Sequence, residues 1–559
     1  MGLILTLALL WPLFQAPYFS QHDDVQTIRL YEMDKCFKDG QIPCRWVPDL
    51  GGLYGYPLFN YYAPLPYYYG EIFYSLTHSL LFSAKLMFVT AFVGSFIFMF
   101  LLARKLWGGY GALISGVFYA YAPYHAVDFY VRGAMEEMWA LMLFPAILWA
   151  LFRLKESTRI YNVMLLGLFL ALLMLSHNLS AMIFLPIIFT LVVFFMWQKR
   201  DFRLLKLVVL SGVLAFLLSA FYFLPMVAEK NLVHVETTVE GYFSYTEHFK
   251  GLYKLFIQRN WGWGASVREV PGGEKDGMSF QIGWVHLLGW FLALATAAYL
   301  WKKDRPKSLL LVMFSLFTVA SVFMIHPRSE FIWKLIDPLK YLQFPWRFLM
   351  LIIFFVSLMS GSIFVWLSKK KAILLLSGLI ILVVAANFTY FRPEKFIQVT
   401  DQQLLTGKNW DTEIKRSIFD FLPIYAQEPP AELATTRYQV VVGNAKVTNF
   451  KEGTNWFNFN ANIDTHTILL LSQYYFPNWK VYVDGQEVKV EYKNNHLGLM
   501  SLIIGPGNHY ISGKLENTTI RSAGNLISLG GVLIFLLLIP TQIPSTRRWL
   551  TYYLKALYR

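Results

Sequence analysis

Charged residues are scarce in this sequence. They make up 15% of its 559 residues, whereas hydrophobic residues make up 56% and the mean hydropathy is +0.44. Since a soluble protein carries about a quarter charged residues, the shortage excludes an ordinary soluble domain. Apolar runs close to the ~20 residues that cross a hydrocarbon core recur along the chain. They predict a polytopic α-helical membrane protein.

Cysteine is nearly absent, with Cys36 and Cys44 as the two instances. Two thiols are too few for a disulfide-dense scaffold, and alone they do not make a metal site. The sequence leaves open whether they form a disulfide or stay free. Three histidines of the C-terminal region are scattered without ligand spacing, so no zinc site is predicted there. They are His466, His496 and His509.

Basic residues are missing from the start of the chain, where Arg29 is the first. The first apolar run, 2–18, therefore lacks the basic region of a secretory signal peptide, and no clear small-residue cleavage site follows it. We expect this run to form an uncleaved helix.

Long apolar runs predict about twelve transmembrane helices. The 36-residue run 162–197 is too long for one span and short for two, and Ser176, His177 and Asn178 interrupt it. We predict a tight helical hairpin with these polar residues at its tip. The predicted spans are 2–18, 81–103, 108–124, 134–152, 162–176, 180–197, 207–224, 283–301, 308–325, 346–367, 372–390 and 523–541.

Basic residues cluster in every second connection between these helices. By the positive-inside rule such connections lie in the cytoplasm, so both termini are predicted to be cytoplasmic and the location to be the plasma (inner) membrane. The clusters account for much of the net charge of +14, so membrane lipids rather than nucleic acid are the expected partners. The clustered residues are Arg104, Lys105, Arg153, Lys155, Arg159, Lys199, Arg200, Arg203, Lys206, Lys302, Lys303, Arg305, Lys307, Lys369, Lys370, Lys371, Arg547, Arg548, Lys555 and Arg559.

Four longer segments are predicted to lie outside the cytoplasm. The fourth is domain-sized and contains β-rich runs such as WKVYVDGQEVKVEY, and Asp484-Gly485 predicts a two-residue hairpin turn. We therefore predict a transmembrane domain (1–390), an extracytoplasmic β-sandwich-like domain (391–522), and a last transmembrane helix with a basic tail (523–559). The first to fourth outer segments are 19–80, 225–282, 326–345 and 391–522.

Two adjacent carboxylates, Asp23 and Asp24, follow the first apolar run. One interpretation makes one of them the N-cap of a surface helix from about Val25 to Phe37, because aspartate is a preferred cap and its charge suits a helix N-terminus. The other makes the pair catalytic, acting on a substrate whose head group lies at this depth. The local sequence leaves both open.

The tyrosine-rich stretch GGLYGYPLFNYYAPLPYYYG, 51–70, also belongs to the first outer segment. An aromatic belt at the membrane interface is one explanation. Its prolines and glycines stiffen an irregular backbone, however, and aromatic faces with polar tips suit sugar rings. The substrate-binding candidates here are Tyr56, Asn60, Tyr61 and Tyr62.

Polar residues near the predicted outer ends of later helices are further candidates. Arg132 and Arg347 each carry a planar guanidinium that suits a lipid phosphate, with snorkelling as the alternative for Arg347. We expect these arginines to border a cavity that opens to the outer side of the membrane. Glu136 either complements a helix dipole or lines this cavity. His177 and Asn178 either line it or form a packed, hydrogen-bonded pair.

Seven short motifs follow one another along the chain: HDDVQTIRL, GQIPCRW, GYPLFNYYAPLPYYYG, VRGAMEE, LSHNLS, QFPWR and YYFPNWKVYVDG. In these motifs and their order the chain resembles a bacterial membrane family named 6-pyruvoyl-tetrahydropterin synthase-related. That family is close to the YfhO-like proteins, and like them it is similar to the GT-C superfamily of integral-membrane glycosyltransferases. The resemblance covers nearly the whole chain, but no clustered histidine triad accompanies the pterin name.

This resemblance implies a GT-C-like fold and transfer of a sugar from a polyprenyl-phosphate donor to a glycan, lipid or protein acceptor of the cell envelope. The family's catalytic aspartate falls on Asp23, and because many members have Asp-Glu where this chain has Asp-Asp, either Asp23 or Asp24 could act. His22 and Arg29 complete the substrate-binding candidates. His22, Asp23 and Asp24 could also hold a divalent cation, and no other cofactor is expected.

Two other functions remain open at the level of sequence. One is a transporter or flippase for lipid-linked saccharides, although no inverted repeat or pair of interrupted, charged helices supports it. The other is a non-catalytic membrane protein of envelope assembly, which the polar outer segments permit.

Overall fold

A computed structural model describes residues 1–268, 275–415 and 421–540 of the chain. The basic tail residues Arg547, Arg548, Lys555 and Arg559 lie outside the described residues. The described α-helices are, in chain order, α1 (Gly2–Ala8), α2 (Gln26–Lys38), α3 (Leu58–Tyr61), α4 (Leu65–Thr77), α5 (Leu80–Ala120), α6 (Pro123–Ala126), α7 (Met135–Glu156), α8 (Ile160–Ser176), α9 (Asn178–Lys199), α10 (Arg203–Ala228), α11 (Leu252–Phe256), α12 (Trp284–Leu300), α13 (Arg305–Ile325), α14 (Glu330–Leu335), α15 (Leu349–Ser360), α16 (Lys369–Asn387), α17 (Asp401–Leu404), α18 (Gly407–Lys415) and α19 (Thr519–Leu538).

The strands and the short helical turns complete the secondary structure. The strands are β1 (Tyr18–Phe19), β2 (Phe396–Ile397), β3 (Tyr438–Val442), β4 (Ala445–Glu452), β5 (Trp456–Ile463), β6 (Thr467–Tyr474), β7 (Trp479–Val483), β8 (Gln486–Val488), β9 (Leu499–Ile504) and β10 (Gly507–Leu515). The 3-10 turns are Trp11–Phe14, Lys230–Leu232, Glu236–Thr238, Gly241–Phe243, Tyr245–Glu247, Pro327–Ser329, Asp337–Leu342, Pro345–Phe348, Gly361–Val365 and Phe388–Tyr390, and Val127–Arg132 is π-helical.

Eight helical stretches of the described chain are long and apolar enough to cross a membrane. Two further apolar helices, α8 and α12, have 17 residues each. The predicted class, a helical membrane protein with a C-terminal β-sheet domain, is therefore confirmed, but a count of twelve spans is not. The eight stretches are Leu80–Ala120, Met135–Glu156, Asn178–Gln198, Arg203–Ala228, Arg305–Ile325, Pro345–Val365, Lys369–Tyr390 and Thr519–Leu538.

The first apolar run differs from its prediction. It does not form one helix over 2–18, because α1 ends at Ala8 and a 3-10 turn containing Pro12 follows. Proline has no backbone N–H and cannot continue an α-helical hydrogen-bond ladder. The chain then becomes extended at β1, which pairs with β2. The loop that carries Asp23 therefore starts from a strand.

Two predicted breaks between helices are confirmed. Gly108, with a φ of +77°, interrupts α5 between the spans predicted at 81–103 and 108–124. His177, with extended φ and ψ of −159° and 94°, separates α8 from α9. A left-handed φ favours glycine, which has no Cβ to clash.

Close approach of helices depends on small residues. A Cβ on Gly167 of α8 would lie 2.9 Å from the Ser211 carbonyl oxygen of α10. Cβ atoms on Gly524 and Gly531 of α19 would come within 2.8 Å of the α10 backbone. Because lipid gives no hydrophobic drive for helices to associate, such small-residue contacts and tight packing hold them together. α10 thus ties α8 to α19.

The C-terminal domain contains two antiparallel sheets. Their strand orders are β4-β5-β10-β7-β8 and β3-β6-β9. Tyr438 of the smaller sheet stacks on Phe450 of the larger one, with ring centroids 6.1 Å apart. Asp484 and Gly485, both with positive φ, form the predicted turn between β7 and β8.

The first outer segment docks on this domain. A disulfide joins Cys36, in the last turn of α2, to Cys44 beyond its end. Beyond the end of that helix, Asp39 accepts hydrogen bonds from the Thr454 backbone N–H (2.6 Å) and from Trp456 Nε1 (2.9 Å). These contacts fix α2, and hence the loop before it, relative to the C-terminal domain.

Candidate active site

Neither aspartate caps the helix that follows. α2 begins at Gln26, close to the predicted start, but its N-cap residue is Val25 and no side-chain hydrogen bond caps it. The capping interpretation is therefore wrong. Neither carboxylate is therefore used as a cap of α2.

Backbone hydrogen bonds hold the Asp23 loop on one side. The N–H of His22 donates to the Val131 carbonyl (3.0 Å), and the N–H of Asp23 donates to the Arg132 carbonyl (2.7 Å). Gly133 follows with a φ of +65°, and a Cβ there would lie 2.3 Å from the Gln21 side chain. The left-handed φ favours glycine, and any larger residue here would displace the Gln21 side chain.

A second set of contacts holds the other side of the loop. Ser20 N–H donates to the Lys395 carbonyl (3.0 Å), and Lys395 N–H donates to Ser20 Oγ (3.1 Å). His22 Nε2 donates to the Trp263 carbonyl at 2.7 Å. Hydrogen bonds to three distant parts of the chain thus hold the loop. The position of the Asp23 backbone is therefore fixed by tertiary contacts.

The two aspartates differ in their surroundings. Asp24 is half-buried and accepts a hydrogen bond from the Tyr18 hydroxyl. Asp23 is exposed, and in the described part of the chain no side chain donates a hydrogen bond to its carboxylate. The Asp23 charge lies close enough to act on Arg132, Tyr62 and Tyr242. Asp23 therefore has carboxylate lone pairs available for a substrate.

Arg29 lies in a buried group below this loop. Its guanidinium carbon is 3.8 Å from the centroid of the Tyr62 ring, and its Nη1 donates to the Tyr67 hydroxyl at 3.3 Å. Tyr67 in turn donates to Glu136 Oε1 at 2.7 Å, and the Tyr62 hydroxyl faces the same carboxylate. Burial and the charge of Glu136 raise the pKa of Tyr67, so it stays a neutral donor. Three predicted site residues are thus brought together.

Arg132 lies in a second buried group. Its Nη1 donates to Asp128 Oδ1 at 2.5 Å and forms an ion pair with Glu137. Its guanidinium carbon lies 4.7 Å from the Trp346 ring. Arg347 Nε lies 3.6 Å from Glu137 Oε1, too far for a hydrogen bond. Two arginines and two acidic residues therefore share one buried group.

His177 adjoins this second group, whereas Asn178 does not. Burial lowers the pKa of His177 to about 3, and the positive charges of Arg347 and Arg132 contribute, so its imidazole is neutral. His177 Nδ1 lies 2.6 Å from Ser180 Oγ. The amide of Asn178 points to the Met226 sulfur of α10 at 3.8 Å.

Three tyrosine-stretch candidates have other partners. Asn60 Nδ2 donates to Glu229 Oε2 (3.0 Å), and the Tyr61 hydroxyl donates to the Glu229 carbonyl (2.8 Å). Tyr56 is buried, pairs its backbone with Val47, and faces Arg29. Asn60 and Tyr61 therefore belong to a different charged network, called the Glu229 junction below.

The residues proposed for a divalent cation do not fit one. His22 Nε2 is bonded to Trp263 and Asp24 to Tyr18. Among the residues that the structure describes, no group of three or more His, Cys, Asp or Glu side chains is arranged to hold a metal ion. No step of a reaction is therefore assigned to a metal.

Two residues beside Asp23 escaped the sequence analysis. Tyr242 and Trp263 come from the second outer segment. Trp263 accepts the hydrogen bond of His22 across 241 positions in sequence, and the charge of Asp23 acts on Tyr242. The Asn-Trp-Gly-Trp-Gly run at 260–264 was the available signal, since glycines flanking an aromatic residue indicate close backbone approach.

The chain resembles two solved membrane proteins. The structure of ArnT from Cupriavidus metallidurans bound to undecaprenyl phosphate shares 14% identity, covers 68% of this chain and 62% of that one, and has a TM-score of 0.44. The apo oligosaccharyltransferase of Archaeoglobus fulgidus shares 13% identity over 78% of this chain and 61% of that one, with a TM-score of 0.47. The chain thus spans about three fifths of each of these proteins. No family model and no curated protein matches it, so the family resemblance of the motifs is not confirmed.

Proposed function

We propose that the protein is a membrane glycosyltransferase that moves a sugar from a polyprenyl-phosphate donor to an acceptor hydroxyl on the extracytoplasmic side. The observation that carries the proposal is Asp23, an exposed carboxylate held by the fold beside Arg132 and Tyr62, and not used as a helix cap. The order of the sequence motifs supports the same function.

Asp23 acts as the general base. Its carboxylate accepts the proton of the acceptor hydroxyl while that oxygen forms a bond to the anomeric carbon of the donor sugar. The bond from this carbon to the phosphate oxygen breaks, and the electron pair leaves with the phosphate. Attack opposite the leaving group inverts the anomeric carbon. General-base assistance of this kind contributes about 10²–10⁴-fold to the rate.

The leaving phosphate is a stable anion and needs charge stabilisation rather than a strong acid. Arg347 suits this role because its Nε is buried and, among the described residues, has no hydrogen-bond partner. A phosphate oxygen would accept from this N–H and compete with Glu137, whose oxygen lies 3.6 Å away. A hydrogen bond between two charged groups in a buried site is about twice as strong as a neutral one.

Two substitutions test the proposal. Purified Asp23→Asn in proteoliposomes should bind an undecaprenyl-phosphate-linked sugar as the wild type does, but transfer the sugar to an envelope glycan fraction at least ~10²-fold more slowly. Asp24→Asn should retain most of the transfer. A matched control is Asp337→Asn, an exposed carboxylate of the third outer segment that pairs with Lys340.

The outcomes separate the possible functions. Full activity of Asp23→Asn, with loss in Asp24→Asn, would move the base to Asp24. If the wild type binds the lipid-linked sugar and moves it between leaflets without cleaving it, the protein is a transporter. If it binds no such lipid, a non-catalytic role in envelope assembly is favoured.

A further inference from the structure

Two aromatic side chains of the second outer segment border Asp23 and have no part in the proposed proton transfer. The Tyr242 phenol lies close enough to Asp23 and Arg132 for both charges to act on it, and 49% of Tyr242 is exposed. Trp263 is half-buried, and its carbonyl receives the hydrogen bond of His22, the residue before Asp23. Two aromatic residues of this segment thus lie near the loop that carries the carboxylate.

The backbone of Trp263 is fixed by glycine contacts. Cβ atoms on Gly262, Gly264 and Gly277 would lie 2.2, 2.9 and 2.4 Å from the facing backbone, so the two segments touch directly. Gly264 N–H donates to the Gly277 carbonyl at 3.0 Å. A larger residue at any of these positions would push Trp263 away from the His22 contact.

The indole of Trp263 has its own anchor. Its Nε1 donates to the Arg392 carbonyl at 3.2 Å, and the Arg392 guanidinium carbon is 5.6 Å from its ring centroid. Arg392 lies just before the stretch that pairs with the Asp23 loop through Lys395. The ring orientation is therefore coupled to the same backbone that holds Asp23.

Tyr242 is fixed by a buried histidine. His248, which is fully buried, donates from Nε2 to the Tyr242 carbonyl (2.5 Å), and its Nδ1 lies 3.0 Å from Ser266 Oγ. The same Ser266 oxygen accepts from Trp346 Nε1 at 3.1 Å. Since Trp346 lies against Arg132, one chain of contacts joins Tyr242 to the arginine beside Asp23.

We propose that Tyr242 and Trp263 are the walls of a sugar-binding subsite centred on Asp23. This inference rests on the proposed function and names the part of the substrate that is held there. Sugar rings present apolar C–H faces that pack on aromatic rings, while their hydroxyl edges need acceptors such as the Asp23 carboxylate. The ring belongs either to the donor or to the acceptor.

Matched variants distinguish these sources. The test uses the full-length protein with two probes, undecaprenyl phosphate and an undecaprenyl-phosphate-linked hexose, and an envelope glycan fraction as acceptor. If the subsite holds the donor sugar, Trp263→Ala and Tyr242→Ala should weaken binding of the sugar-loaded lipid roughly tenfold and leave the bare lipid unchanged. If it holds the acceptor, the KM for the acceptor should rise by a similar factor while donor binding stays constant.

Conservative and control variants complete the experiment. Trp263→Phe and Tyr242→Phe retain a ring and should recover most of the binding. Tyr253→Ala removes an aromatic residue of the same segment that is 65% exposed, and it should behave as the wild type. If the two site variants behave like Tyr253→Ala, the rings only anchor the segment at the membrane surface and the inference is overturned.

Different results would refute the proposed enzyme activity and the proposed sugar subsite. A wild type that binds the sugar-loaded lipid in a manner dependent on Trp263, yet never transfers the sugar, would refute the enzyme and retain the subsite. A wild type with normal transfer that is insensitive to Trp263 and Tyr242 would refute the subsite alone. A wild type that binds no sugar-bearing lipid and no acceptor would refute both.

Discussion

Asp23 and Glu229 are both carboxylates beside arginines at the ends of helices, and they are used differently. Glu229 follows α10 and is 6% exposed. Its Oε2 accepts from Arg521 Nε (2.9 Å) and Asn60 Nδ2 (3.0 Å), and its Oε1 accepts from Thr518 Oγ1 (2.6 Å). Asp23 is exposed and receives no such side-chain bond among the described residues.

The Glu229 junction joins three separate parts of the chain. Arg45 of the first outer segment donates to Asn60 (3.0 Å), to Asn525 of α19 (2.7 Å) and to the Phe221 carbonyl of α10 (2.8 Å). Burial, together with the charge of Arg521, lowers the pKa of Arg45 to about 10. The number of charged residues therefore does not identify a reactive site. What separates the two regions is whether the carboxylate retains free acceptor capacity.

The largest expected effect comes from measuring both stability and activity for a substitution at each of the two carboxylates. Glu229→Gln leaves the buried guanidinium of Arg521 without its counter-ion, and breaking a buried ion pair costs about 3–5 kcal/mol. The thermal unfolding midpoint in detergent should fall markedly, while the transfer rate per folded molecule stays near that of the wild type. Asp23→Asn should leave the unfolding midpoint near that of the wild type and lower the transfer rate. A Glu229→Gln protein of normal stability and no activity would break the comparison.

The next effect concerns the histidine that fixes Tyr242. Burial lowers the pKa of His248 to about 4, although its hydrogen bond to the Tyr242 carbonyl opposes the shift. Lys250 adds to the shift, and Glu247 and Asp276 oppose it. The unfolded chain, with a histidine pKa near 6.5, binds a proton that the folded protein excludes between about pH 6.5 and 4. Stability should therefore fall as the pH is lowered through this window, by about 3 kcal/mol at most.

A glutamine at this position separates His248 from the other histidines. In His248→Gln the amide N–H can still donate to Tyr242 and its oxygen can still accept from Ser266, but nothing titrates. The decline of the unfolding midpoint from pH 7 to 4.5 should become shallower than in the wild type. Replacing the exposed His466 by glutamine serves as control. An unchanged pH dependence in His248→Gln would show that this histidine does not couple protonation to the site.

Local signals in the sequence predicted much of the fold. Apolar runs of sufficient length predicted the eight helical stretches that could cross a membrane and the shorter apolar helices α8 and α12, because lipid requires each span to satisfy its own backbone. Asp484-Gly485 gave a turn because both residues tolerate positive φ. The break in the first run was missed, although Pro12 was visible, because hydrophobicity alone was weighed.

The candidate site was predictable only in part. Asp23, Glu136 and Arg132 were predicted as candidates because charged residues are rare beside the apolar runs. Tyr62 was a candidate because it lies in a tyrosine-rich stretch, and Arg29 because of the family resemblance. Many of the residues that contact these candidates are distant in sequence. Asp128 neutralises Arg132 from one helical turn away, a spacing that sequence shows, but the packing of the second outer segment on the Asp23 loop depends on tertiary contacts with no local pattern.

The smallest expected effect distinguishes the two aspartates by changing the hydrogen-bond partner of Asp24 rather than either carboxylate. Tyr18→Phe removes the hydroxyl that donates to Asp24 without changing either carboxylate. Loss of one hydrogen bond should cost about 1 kcal/mol of stability. Because Asp23 is the proposed base and keeps its surroundings, the transfer rate should change by less than about threefold, measured beside Asp24→Asn under the same conditions. A rate that rises or collapses in Tyr18→Phe would mean that the bonded carboxylate reacts and that free acceptor capacity is the wrong criterion for separating Asp23 from Glu229.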